Sequence, residues 1–213
     1  CSSTDLVNWS EVWSVDIGVE GAGCVWAPEA VYDKKEERYM VFFASMVNGK
    51  QVIYNTYTKD FVHFSEPKKY IEKDNHVIDT TIIENEDVYY RFSKDETTKN
   101  IIADYGKNLK DGPFERLVCK NVEELMGVEG PAMFKFNDRD EWCLMVDRFA
   151  EGLGYLPIVT KDILSGDFRV LKEDEYDMGK NKKRHGSVLR ITEEEYQALC
   201  KKWLCKPEVA DVL

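Results

Sequence analysis

Three acidic residues stand fifty positions apart along the chain: Glu29, Asp79 and Glu129. Each precedes a short apolar run. Glu129 is the most pointed of them, because Gly130-Pro131 behind it fixes the backbone and aims the side chain. Taken singly, Glu29 reads as an exposed residue at a strand head, and Asp79, before Thr80-Thr81, as a turn acid bonding nearby N–H groups. Brought to one place, the three would do something different. Like charges raise one another's pKa, and a carboxyl that keeps its proton near neutrality is what a general acid needs. The chemistry open to such a cluster is proton transfer to or from a bound molecule.

The elements that must position these acids are strands. Runs such as Tyr39–Ala44, Val88–Phe92 and Trp142–Val146 are aromatic and β-branched, bounded by short polar turns. Three segments align in register: APEAVYDKKEERYMVFFAS, VIDTTIIENEDVYYRFSKD and VEGPAMFKFNDRDEWCLMVDRF. Each has an acid, an apolar strand, an acidic turn and an aromatic strand. A second unit, with Thr-Lys-Asp at 58–60 and 160–162, trails the segments, and Ser3-Thr4-Asp5 matches it. A period near fifty residues with about four strands per repeat is the mark of a β-propeller; its rival is a β-sandwich with a chance rhythm. Complete blades are expected over residues 26–73, 76–121 and 128–172. A further inner strand is expected at His185–Thr192, then a helix over Glu193–Leu204 with Thr192 as N-cap. The chain opens on the last quarter of another blade. The expectation is an all-β, five-bladed propeller, its first blade incomplete in this chain, over residues 1–192, with a C-terminal helix and tail at 193–213. Inner strands line a propeller's channel, so Glu29, Asp79 and Glu129 would form a ring there, with His185.

Composition narrows the field. The 213 residues suffice for a proper core, and the formal net charge of −11 argues against a nucleic-acid surface. The one basic run, Lys180–Arg184, reads as a solvated loop. No stretch approaches the ~18 apolar residues of a membrane helix. Cys24, Cys119 and Cys143 are scattered singly, Cys200 and Cys205 lie near the C-terminus, and no C-x-x-C occurs. With three histidines, this argues against a zinc site and leans toward buried thiols in a reducing compartment. Residue 1 is Cys and no signal region follows, so the chain is expected to start inside a larger protein. The edge of an incomplete blade is expected to self-associate.

WAPEA at 26–30, VIDTT around Asp79, EGP at 129–131 and RHGS at 184–187, in that order, resemble glycoside hydrolase family 43. The resemblance covers the chain to about Thr192. It implies a five-bladed propeller and inverting hydrolysis of arabinose- or xylose-containing polysaccharides and oligosaccharides. It makes Glu129 the general acid that protonates the leaving oxygen, and Asp79 the acid that orients Glu129 and tunes its pKa. It places Glu29 and Trp26 in the substrate pocket, Trp26 as an aromatic face for a sugar ring. It offers Arg148, and more weakly Arg91, to sugar hydroxyls. No cofactor is required; His185 takes the place of an axial histidine that in some relatives faces a water-coordinated calcium or another ion. The family's general base is an Asp on the first blade's inner strand, expected upstream of residue 1. Its absence here leaves three alternatives open: an incomplete hydrolase, strands supplied by another chain, or a non-catalytic sugar binder. The related invertase-type families, which retain configuration, fit EGP less well.

Overall fold

The computed structural model describes residues 1–203, and the chain divides into two compact units, one spanning 17–188 and the other joining 1–16 to the chain from 189 onward. The larger unit holds three four-stranded antiparallel sheets, each a meander. The first contains β1 (Trp26–Asp33), β2 (Arg38–Val47), β3 (Lys50–Thr58) and β4 (Lys68–Ile71). The second contains β5 (Val77–Asn85), β6 (Val88–Asp95), β7 (Asn100–Gly106) and β8 (Glu115–Leu117). A four-residue helix, α1 (Lys120–Glu123), leads to the third: β9 (Glu129–Lys135), β10 (Trp142–Asp147), β11 (Tyr155–Thr160) and β12 (Arg169–Val170). These boundaries follow the three expected repeats closely.

Local chemistry explains why the strands turn where they do. Asn48-Gly49, both at positive φ, close the β2–β3 hairpin, the pairing favoured because its twist matches that of the strands. Asp33 accepts hydrogen bonds from the N–H groups of Lys35 and Glu36, and Asp95 from those of Thr97 and Thr98. The Thr-Lys-Asp unit is a true repeat. In each copy a hydroxyl (Ser3, Thr58 or Thr160) accepts from the Asp N–H two residues on, at 3.2–3.3 Å. The Asp carboxylate then accepts from backbone beyond it: Val7 and Asn8, Val62 and His63, Leu164. These N–H bonds hold the Asp5 and Asp60 carboxyls well below the usual carboxylate range.

Strands such as β3 and β11 are buried along nearly their whole length, and successive side chains point to opposite faces, so a sheet offers a buried face to each neighbour. Met40, Phe42 and Ala44 of β2 share a cluster with Val77, Ile78 and Ile82 of β5. Phe92 and Ile101 of the second sheet share another with Met133, Leu144 and Ile158 of the third, joined by Phe168, whose ring meets Phe92 edge-on at 5.9 Å. Strand β5 therefore lies against both β1 and β9.

Two expected strands are absent. Residues 1–16 and 185–192 form no strand. Neither pairs with a neighbouring strand among the described residues, and a strand is held by the ladder of backbone bonds to its neighbour. In the smaller unit, α2 (Glu193–Trp203) forms as expected. Thr192 Oγ1 accepts from Glu195 N–H at 3.2 Å while Glu195 Oε2 accepts from Thr192 N–H at 2.7 Å, a reciprocal cap. Leu204, the tail and Cys205 lie outside the described residues. Cys119 and Cys143 are buried free thiols, whose burial pushes each up to about 12.

Candidate active site

The first strand of each sheet begins with the same irregularity. The backbone turns to positive φ at Ala27 (44°), Asp79 (47°) and Gly130 (52°), and again at His185 (40°). The pairing register slips at each sheet's copy, between Trp26 and Glu29, between Ile78 and Thr81, and opposite β9 between Met145 and Asp147. A bulge re-aims side chains where a strand enters a site. It also corrects the expected alignment. The structural repeat runs Ala27–Asp79–Gly130–His185, with 51 residues between Asp79 and Gly130. The even fifty-residue spacing of the acids is therefore not structural equivalence. Glu129 stands one residue before the bulge, Asp79 on it and Glu29 two residues after it.

The acids converge all the same, because the different offsets fan them around a common point. His185 Nε2 lies 3.0 Å from Glu129 Oε1 and 3.8 Å from Asp79 Oδ2. Asp79 Oδ2 accepts the Gly130 N–H at 3.2 Å, tying it to the residue after Glu129. The His185 ring packs so closely on Gly130 that a Cβ there would stand 3.0 Å from three ring atoms. A side chain at Gly130 is thus disfavoured twice, by the φ and by crowding of the imidazole. Tyr155, at the start of β11, holds the loop that carries His185. Its hydroxyl donates to Gly186 O at 2.9 Å and accepts from Gly186 N–H at 2.6 Å. A cleft lined by Glu29, Asp79, Thr80, Tyr155, His185 and Ser187, among others, opens beside these groups.

The three carboxyls have unlike electrostatics, against the expectation that a ring of acids raises every member. Burial raises Asp79, with His185 and the Gly130 N–H pulling the other way. Burial lifts Glu29 to about 7, only partly offset by the Thr81 hydroxyl, which donates to Glu29 Oε2 at 3.0 Å. Burial also works on Glu129 but is outweighed: Lys94 Nζ donates to Oε2 at 2.8 Å, and His185 stands on Oε1, so Glu129 is held below the ordinary glutamate value. Arg184 Nη2 adds a contact of 3.4 Å to Oε1. Glu129 is thus pulled toward its ionised form, while Asp79 and Glu29 are pushed toward their protonated forms, Glu29 up to about 7.

Glu29 gives a measurable consequence. Its folded pKa lies above the unfolded one, so between about pH 4.5 and 7 the folded state binds more protons than the unfolded state. Stability from this group is then full below the unfolded pKa and is lost as pH rises through 7, by up to roughly 3 kcal/mol. Thermal melts across that window are expected to show the wild type losing stability relative to Glu29→Gln. Parallel curves would refute the shift.

Of the expected site residues, Glu29, Asp79, Glu129 and His185 come together. Trp26 is 50% exposed at the head of β1, opposite Ala44, and does not line the cleft. Arg148 follows β10 and donates from Nε to Gly154 O at 3.4 Å, bracing its own loop. Arg91 is buried, forked onto Asp104 at 2.6 and 2.8 Å and laid over the Phe114 ring at 3.4 Å. It braces the second sheet, and the expectation that it meets sugar hydroxyls is corrected. Lys94, Arg184, Asp147 and Tyr155 are site residues that the sequence reading missed. The signal for Lys94 was present: a lysine inside an aromatic, strand-like run, RFSKD, where a charge is out of place.

One ligand atom each from Asp79, Glu129 and His185 lies within 4.8 Å of the others, a set that could hold a cation. Such an ion would compete with Lys94, Arg184 and His185 itself for Glu129.

A family model described as a probable glycosyl hydrolase domain, of the glycosyl hydrolase 43-related group, matches residues 1–197. An alpha-L-arabinofuranosidase of Bifidobacterium longum subsp. longum is 29% identical over 197 residues, covering 70% of this chain and 18% of that protein. A family-43 β-1,3-galactosidase superposes with TM-score 0.59 at 15% identity, over 79% of this chain and 38% of the other. An exo-β-1,3-galactanase of Clostridium thermocellum superposes with TM-score 0.54 at 13% identity, over 68% and 34%. The structural matches bear on the fold, and this chain spans well under half the length of each of these three proteins. With nearly its whole length matched by the family model, the chain belongs to the glycosyl hydrolase 43-related family.

Proposed function

We propose that the three sheets are blades of a five-bladed propeller and that the protein carrying this chain hydrolyses glycosidic bonds, with Glu129 as general acid and Asp79 as the residue that orients it. The observation that carries the reading is the meeting of Glu129, Asp79 and His185 at the heads of successive repeats. The positive φ at His185 repeats the backbone of the three inner strands and supports a further blade there.

The reaction is inversion at an arabinofuranosyl or xylosyl linkage. The alpha-L-arabinofuranosidase relative favours the first sugar. Inversion needs a base carboxylate across the bond from the acid, roughly 6.5–9.5 Å away to admit water. On this reading the base is a further carboxylate, distinct from Glu29, Asp79 and Glu129. Glu129 must take up a proton before it can give one, and Lys94, His185 and Arg184 all favour its charged form. Protonation therefore goes with loosening of those contacts, Arg184 being the most exposed of them.

Proton NMR of the anomeric products formed by the full-length protein tests the mechanism. The first-formed sugar is expected to have inverted configuration; retention would point instead to an Asp-nucleophile mechanism. The firm hold on ionised Glu129 supports a second reading, a sugar binder without catalysis. On that reading calorimetry would show oligosaccharide binding with no turnover.

A further inference from the structure

Lys94 is an unusual lysine. It is 2% exposed, on β6, and its ammonium stands over the Phe149 ring at 4.2 Å. Burial works against its charge, and Glu129 and Glu96 outweigh that. Both acids hold it: Glu96 Oε2 lies 2.7 Å from Nζ, and Nζ donates to Glu129 Oε2 at 2.8 Å.

The place of Lys94 in the repeat shows that this bond is built in. Each residue before a bulge pairs with a fixed position on its own second strand: Trp26 with Ala44, Ile78 with Lys94, Glu129 with Asp147. Two of those second-strand residues also meet the next repeat's residue before the bulge, while Ala44 and Ile78 belong to one apolar cluster. Lys94 bonds Glu129, and Asp147 Oδ2 accepts from Arg184 Nε at 2.7 Å. The same two positions thus join neighbouring repeats twice, by ion pairs of opposite polarity. Between Lys94 on Oε2 and Arg184 and His185 on Oε1, the two oxygens of Glu129 are made distinct.

We propose that Lys94 is a positioning residue for the hydrolysis: it anchors Oε2 of Glu129 on the buried side, so that Oε1, beside His185 and the cleft, is the oxygen that transfers the proton. This rests on Glu129 being the general acid. A carboxyl that delivers a proton must be held within hydrogen-bond reach of the leaving oxygen, and a side chain free to rotate loses that geometry.

The test compares Lys94→Met, Lys94→Arg and Glu129→Gln in the full-length protein. Methionine keeps the apolar stem of lysine and removes the donor. Crystal structures are expected to show the Glu129 carboxylate rotated away in Lys94→Met and restored in Lys94→Arg; an unmoved carboxylate in Lys94→Met overturns the proposal whether or not a substrate is turned over. In kinetics, Lys94→Met is expected to lower kcat at least about tenfold on a glycoside with an alcohol leaving group, with KM little changed. It should have far less effect on a nitrophenyl glycoside, whose departure needs no proton, and arginine should restore most of the loss. Equal losses on both substrates would mark Lys94 as merely structural. Should Glu129→Gln itself show no dependence on the leaving group, the assignment of the acid fails. Should Glu129→Gln show it and Lys94→Met not, only the role of Lys94 fails. Where Lys94→Met does not fold, Lys94→Gln carries the same comparison.

Discussion

Glutamine in place of Glu129 is expected to slow cleavage of a glycoside with an alcohol leaving group by about 10²–10⁴-fold, the usual worth of general acid catalysis. A nitrophenyl glycoside should be cleaved at a rate much nearer the wild type. The asymmetry is the informative part. An alkoxide leaves poorly without a proton, so the protonation proposed for Glu129 dominates its barrier, whereas a nitrophenolate leaves unaided. Glutamine matches glutamate in shape and can still meet Arg184 and His185, so misfolding should contribute little. Lys94 loses a charged partner on Oε2 but keeps Glu96 at 2.7 Å. Values of kcat/KM for the two substrates, measured on the full-length protein, decide the matter. A uniform loss would make Glu129 a binding or structural residue, and no loss would remove it from the chemistry.

Alanine at Arg91 is expected to destabilise the fold by about 3 kcal/mol while leaving KM unchanged. Truncating one partner of a buried pair strands the other charge, at a typical cost of about 3–5 kcal/mol. Asp104 is 4% exposed and loses both its short contacts to the guanidinium. It keeps Lys73 at 2.7 Å, which argues for the lower end of the range. Phe114 also loses the cation on its face. Urea denaturation measures the first effect and Michaelis kinetics the second. A variant of wild-type stability with a raised KM would return Arg91 to the substrate pocket.

Arg91 also shows where sequence reading stops. In YYRFSK an arginine on a strand can face a ligand or a neighbouring strand, and the sequence does not distinguish them. The distinction lies in Asp104, which pairs with Arg91 across β6 and β7. Lys94, three residues on in the same strand, faces the other way in role: it reaches out of its own sheet to Glu129. The even spacing of Glu29, Asp79 and Glu129 suggests an alignment that the backbone does not keep, because the repeat is set by the bulges, which spacing alone does not reveal. A substantial part was nonetheless legible. The three sheets, their hairpins and the Thr-Lys-Asp turns stand where the pattern put them, and α2 begins at its expected cap. The strand expected at 185–192 does not form, although His185 reaches the expected site.

What the sequence determined by itself was local: aromatic and β-branched runs that form strands, turns closed by an Asp accepting nearby N–H groups, and the choice of Gly130 beside Glu129. Each depends on residues within a few positions of one another, so each can be read from a short window. What only the tertiary structure decided was the charge and aim of each acid. Glu129 is held by Lys94, 35 residues before it, and by Arg184, 55 after it. Glu29 is lifted by burial that no window of sequence contains. Desolvation and Coulomb forces act through space, and folding chooses which groups share that space.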